Sequence, residues 1–164
     1  MNSIKDQKNL NKKKVLLRLD LNVPLKNGSI TDETRINKII PIIDFLTKEQ
    51  SKIIIISHVG RPKGKVITDL SLKPICENFE KKINKKIRLV KEDIFKLKKD
   101  DLFEDPNDQI VFLENIRFYK EEEKNDTNFA QHLAKLADLY VNDAFSCSHI
   151  AHASCLLYTS DAAD

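Results

Sequence analysis

Apolar residues along this chain alternate between two spacings. Short unbroken runs occur at Val15-Leu16-Leu17-Arg18-Leu19, Ile53 to Ile56, Ile110-Val111-Phe112-Leu113 and Leu139-Tyr140-Val141, with a weaker run from Ile87 to Val90. Runs of this kind predict strands buried on both faces of a parallel sheet. Parallel strands are therefore expected at 14–19, 53–57, 110–113 and 139–142.

Helical spacing fills the intervals. After the turn-forming Asn27-Gly28 pair, Thr31 is placed to cap a helix near 32–47, with Asp32 and Glu33 in its first turn. Ile36, Ile39, Ile40, Ile43 and Leu46 form its apolar stripe, and Pro41 inside it is expected to kink or shorten it. Ser71 is placed to cap a helix near 72–84 through Ile75, Phe79 and Ile83. Asp126 or Thr127 starts a third near 127–137, carrying Phe129, Ala130, Leu133, Leu136 and Ala137. Strand–helix alternation predicts an α/β layered domain.

Composition narrows the function. The 164 residues are 41% hydrophobic and 32% charged, enough for a real core, and the formal charge is only +3. So small an excess gives no bias toward nucleic acid or membrane surface. Apolar runs fall short of the 18 or so residues of a membrane span. Residues 1–14 are Lys/Asn-rich, without the apolar stretch of a secretory signal. Cys76, Cys147 and Cys155 show no metal-ligand spacing and read as reduced cytosolic thiols.

The basic residues are unevenly chosen. Of 28 cations only five are Arg: Arg18, Arg35, Arg61, Arg88 and Arg117. The Arg fork suits phosphate and carboxylate, and in open α/β sheets ligands bind at the carboxyl ends of strands. The first strand runs out into Asp20, Asn22 and Pro24. The second runs out into His58, Gly60, Arg61, Pro62 and Gly64, and the run at 110–113 into Asn115 and Arg117. Arg35 starts the first helix. Arg35, Arg61, Arg117 and His58 at one sheet edge imply a small ligand with more than one acidic group. Asp20 and Asn22 suit a hydroxyl on that ligand, and Gly60 and Gly64 permit close backbone approach.

Other features read as ordinary surface. Arg18 lies inside a strand and must snorkel or pair. Arg88 beside Lys85 and Lys86, His132, and the run at 120–124 (Lys-Glu-Glu-Glu-Lys) are read as solvated. The 60–65 loop lacks the spacing of a nucleotide P-loop. His149 and His152 lack the partners of a metal site.

Five segments in order resemble phosphoglycerate kinases: Val-Leu-Leu-Arg-Leu-Asp-Leu-Asn-Val-Pro at 15–24, Thr-Asp-Glu-Thr-Arg-Ile at 31–36, Ser-His-Val-Gly-Arg-Pro at 57–62, Leu-Glu-Asn-Ile-Arg-Phe at 113–118 and Val-Asn-Asp-Ala-Phe at 141–145. The resemblance covers about residues 12–154. It implies a Rossmann-like three-layer α/β domain with a mainly parallel sheet, one lobe of a two-lobed kinase. The implied reaction is reversible phosphoryl transfer between 1,3-bisphosphoglycerate and ADP, giving 3-phosphoglycerate and ATP. Residues 1–154 are expected to be the incomplete N-terminal, 3-phosphoglycerate-binding domain, and 155–164 a non-native tail.

By the same resemblance, Asp20 and Asn22 hold the glycerate hydroxyl region. Arg35 is the catalytic arginine, holding the carboxyl end and stabilising the phosphoryl group in flight. His58, Arg61 and Arg117 hold the 3-phosphate, with Gly60 in the same loop. Mg2+ with ADP or ATP belongs to a C-terminal nucleotide domain that is not in this chain, and the chain alone is expected to be inactive. A cytoplasmic monomer without nucleic-acid or membrane partners is expected. Two positions depart from the family: Ile150 stands where it has Arg, and Ser146-Cys147-Ser148 replaces a Gly-Thr-Ala type run. A non-catalytic small-anion-binding module that lost turnover is the alternative.

Overall fold

A computed structural model of the chain describes residues 9–19, 25–26, 29–105, 107–124 and 126–143. The apolar runs form strands β1 (Lys14–Leu19), β4 (Lys52–Ile56), β5 (Ile87–Val90), β6 (Ile110–Leu113) and β7 (Leu139–Asp143), while β2 (Leu25–Lys26) and β3 (Ser29–Ile30) pair as a small antiparallel ribbon. The five longer strands make one sheet in the order β5-β6-β4-β1-β7, and all four pairings are parallel. The weaker run at 87–90 is thus an edge strand of the same sheet.

Strand side chains alternate between faces, and two cores follow. One face buries Val15, Leu17, Leu19, Ile53, Ile55 and Phe112 beneath helices α1 (Thr34–Lys48) and α2 (Lys73–Ile83). The other buries Leu16, Ile54, Ile56, Val111 and Leu113 beneath α4 (Thr127–Ala134), which follows the single turn α3 (Lys120–Glu123). Burying each such side chain stabilises by roughly 1.5–3 kcal/mol. Helices on both faces of a parallel sheet give the expected three layers.

Several local expectations are corrected. Helix α1 is not shortened at Pro41 and continues to Lys48. Ile36 and Ile39 before the proline, and Ile43 and Leu46 after it, are all buried, so packing holds both halves on the sheet despite the missing amide. The N-cap position is Glu33 rather than Thr31, and the Asp32 carboxylate accepts the Thr34 N–H at 2.9 Å and the Thr34 hydroxyl at 2.6 Å. These bonds hold the Asp32 carboxyl below its ordinary range. Ser71 does accept a helix amide, from Lys73 at 3.1 Å, and donates to Glu114 at 2.6 Å. Asp126 caps α4 through the Phe129 N–H, and that helix ends at Ala134 rather than 137.

Arg88 and His132 are half-buried rather than solvated: the Arg88 guanidinium donates to the Leu102 carbonyl, and His132 Nε2 lies 3.1 Å from the Leu97 carbonyl. Cys76 is a buried free thiol, pushed up to about 12 by burial, so it carries no thiolate at neutral pH.

Candidate functional site

Helix α1 ends at Lys48, just before β4 begins at Lys52. At 1.5 Å per residue, its first turn lies roughly 20 Å away, toward the carboxyl edge of the sheet. Arg35 stands there and is exposed. Arg61 is exposed in the loop leaving β4, and His58, immediately after that strand, is buried at 3% exposure. Arg117, on the 3-10 turn Ile116–Phe118 after β6, is buried at 9% exposure.

A relay of hydrogen bonds joins the strand exits. The Ser57 hydroxyl donates to the Leu19 carbonyl at 2.7 Å, tying the end of β4 to the end of β1. The Ile116 N–H donates to the Ser57 carbonyl at 3.2 Å, and the Gly64 N–H to the Arg117 carbonyl at 3.1 Å. Asn115 completes the join. Its amide nitrogen donates to the carbonyls of Val59 and Leu70, both at 2.9 Å, while its oxygen accepts the Arg117 N–H at 3.1 Å. The β4 exit, with His58 and Arg61, is thereby fixed against the turn bearing Arg117.

The glycines of this loop have a structural role in closing it. Gly60 and Gly64 have φ +63° and +75°, the left-handed region that favours glycine. A Cβ on Gly64 would lie 2.3 Å from Lys120 Cγ and 3.0 Å from Lys120 Cα; one on Gly60 would lie 2.7 Å from a Leu70 methyl. The space a side chain would occupy is filled by the protein itself, so these glycines close the loop onto its neighbours.

The run at 120–124 is also corrected. Glu122 is wholly buried and lies 3.5 Å from the equally buried Arg18 Nη1. Arg18 shares the sheet face of Leu16, so it points toward the layer that contains α3. The missed signal was arithmetic: a strand arginine needs a partner, and this acidic run supplies one in a helical turn.

Asp20, Asn22, Cys147, His149, Ile150, His152 and Cys155 lie outside the described residues, as does the stretch 155–164. A groove of about 670 Å³ opens beside the same edge, among Ile67, Ser71, Pro74, Glu114, Phe118 and Tyr119. Its walls are largely apolar and include none of the three arginines. Charge complementarity therefore favours the arginine-bearing loops for an anion. Among the described residues no group of His, Cys, Asp or Glu could hold a metal ion.

A family model described as "Phosphoglycerate kinase" matches residues 4–162. The chain is 52% identical over 147 residues to the phosphoglycerate kinase of Wolbachia pipientis wMel, covering 88% of this chain and 36% of that protein. It is 47% identical over 142 residues to that of Dictyoglomus turgidum, covering 87% and 36%. The structure of phosphoglycerate kinase from Coxiella burnetii superposes with a TM-score of 0.81 at 37% identity, over 92% of this chain and 37% of that one. The enzyme from Pyrococcus horikoshii OT3 gives 0.79 at 26% identity, over 94% and 39%. The chain thus spans little more than a third of the length of the relatives it matches.

Proposed function

Since this chain belongs to the phosphoglycerate kinase family, we propose that it supplies the triose-binding part of such an enzyme, whose reaction moves a phosphoryl group between 1,3-bisphosphoglycerate and ADP. Residues 1–154 form the 3-phosphoglycerate-binding domain in this reading. The observation that carries it is the relay from Leu19 through Ser57 to Ile116, with Gly64 closing on Arg117. Three strand exits, two of them bearing His58, Arg61 and Arg117, are locked into one frame.

Each residue then has a role. His58, Arg61 and Arg117 hold the 3-phosphate. Asp20 and Asn22 hold the glycerate hydroxyl. Arg35, exposed in the first turn of α1, holds the carboxyl end and meets the charge that develops on the phosphoryl group in flight. Phosphoryl transfer needs positioning and charge stabilisation rather than a covalent protein intermediate, which is what preset arginines offer. When bound, Mg2+-ADP would accept the phosphoryl group from 1,3-bisphosphoglycerate, and Mg2+-ATP would donate it in the reverse direction. The 60–65 loop closes on Lys120 and the Arg117 carbonyl, and in this reading the nucleotide is held by the second lobe that the family's architecture implies. The protein acts in the cytoplasm as a monomer.

Calorimetric titration of the 164-residue chain with 3-phosphoglycerate tests this. Arg117→Ala is expected to weaken binding by about tenfold or more, the worth of one charge-assisted contact. Arg88→Ala, which alters a half-buried strand arginine elsewhere, should leave it unchanged. Equal effects of the two substitutions, or no binding by the unaltered chain, would overturn the reading.

A further inference from the structure

The turn bearing Arg117 is anchored at both ends by different chemistry. Before Arg117, Asn115 and Ile116 bind it to the β4 exit through neutral hydrogen bonds. After it, Glu122 meets Arg18, and both side chains have 0% exposure. Arg18 belongs to the sheet's interior: it lies in register with Ile56 on one side and Asn142 on the other. The pair therefore ties the segment after β6 to the interior strand β1, across the layer boundary.

Net stability is a weak reason for such a pair, because apolar residues of similar volume often do as well or better in its place. What an ion pair adds is a preference for one partner: the Glu122 carboxylate is drawn to the Arg18 guanidinium 3.5 Å away, whereas apolar contact is non-directional.

We propose that Glu122 is a positioning residue: through Arg18 it fixes the turn carrying Arg117 to β1, and so sets where the Arg117 guanidinium stands at the carboxyl edge. The consequence for ligand binding rests on the preceding reading of Arg117 as a phosphate ligand. Arg18, on this account, is the strut that Glu122 bears on.

Two variants of the 164-residue chain test the proposal. Glu122→Gln keeps the shape and removes the charge. The double variant Arg18→Met/Glu122→Leu replaces the pair with apolar side chains and keeps the core filled, so it serves even where Glu122→Gln fails to fold. Each is measured for thermal midpoint, for amide exchange at residues 115–118 against exchange in α2, and for 3-phosphoglycerate affinity. The double variant is expected to regain the thermal midpoint, yet to exchange about tenfold faster at 115–118 with α2 unchanged. Its affinity should be about tenfold weaker, since small misplacements of a binding group are costly. A folded Glu122→Gln chain should show the same faster exchange at 115–118 and weaker affinity, but with a lowered thermal midpoint.

Recovery of midpoint, protection and affinity together in the double variant would show a merely structural pair and sink the proposal. So would an unchanged exchange pattern in either folded variant. If the unaltered chain binds no 3-phosphoglycerate, the functional reading fails, while the exchange comparison still decides whether Glu122 holds the turn.

Discussion

The two edges of the sheet treat charge in opposite ways. At the amino edge, Lys14 meets Asp100 at 3.4 Å with the aspartate 98% exposed, and Lys99 pairs with a partly exposed Asp138. At the carboxyl edge, Arg18 and Glu122 are sealed from solvent and Arg117 is nearly so. Solvent can replace either partner of an exposed pair, so such pairs are worth little. A buried charge has no such substitute. Pairs of opposite charge merely clothe the amino edge and can hold geometry at the other, and burial rather than charge count makes the difference.

That contrast can be broken most directly at Glu122. Glu122→Gln should lower unfolding stability by about 3–5 kcal/mol, because it leaves the buried Arg18 charge without its partner carboxylate. Urea denaturation measures this, and a loss no larger than that of a surface pair would erase the distinction between the edges. Gly64→Ala comes next, at about 1–3 kcal/mol. It places a methyl group against Lys120 from a backbone at φ +75°. Thermal melting of this variant shows whether the loop closure needs glycine, and a neutral or stabilising result would contradict that.

The smallest effect belongs to the amino edge. Partial burial works against ionisation of Asp138, yet the Lys14 N–H and the Lys99 ammonium outweigh it and hold the carboxyl below its ordinary 3.8. A depressed folded value means the contribution is fully present above that ordinary pH. It is lost as pH falls through the lower folded value. Asp138→Asn should therefore cost a little stability at neutral pH, a difference that vanishes as the pH falls through the acid limb, and added salt should shrink it further. A large loss at pH 7 would show that this edge, too, depends on a specific ion pair.

Much of this molecule was legible in its sequence. The β-branched run at Ile53 to Ile56, the stripe from Ile36 to Leu46 and the exits at His58, Arg61 and Arg117 follow from periodicity and residue chemistry within short windows. These determined the parallel sheet, its flanking helices and which loops carry His58, Arg61 and Arg117. Other features depend on contacts between distant segments, which no window contains. Helix α1 survives Pro41 because the sheet holds its buried isoleucines on both sides of it. Gly64 is required because Lys120 occupies the space beside it. Asn115 is committed to carbonyls of another loop. Glu122 resembles its neighbours Glu121 and Glu123 in sequence, and only the packing of α3 against β1 turned it inward to Arg18. Local propensity sets what each segment forms, whereas burial and pairing across the sheet are decided by which segments meet, and that is settled only when the whole chain packs.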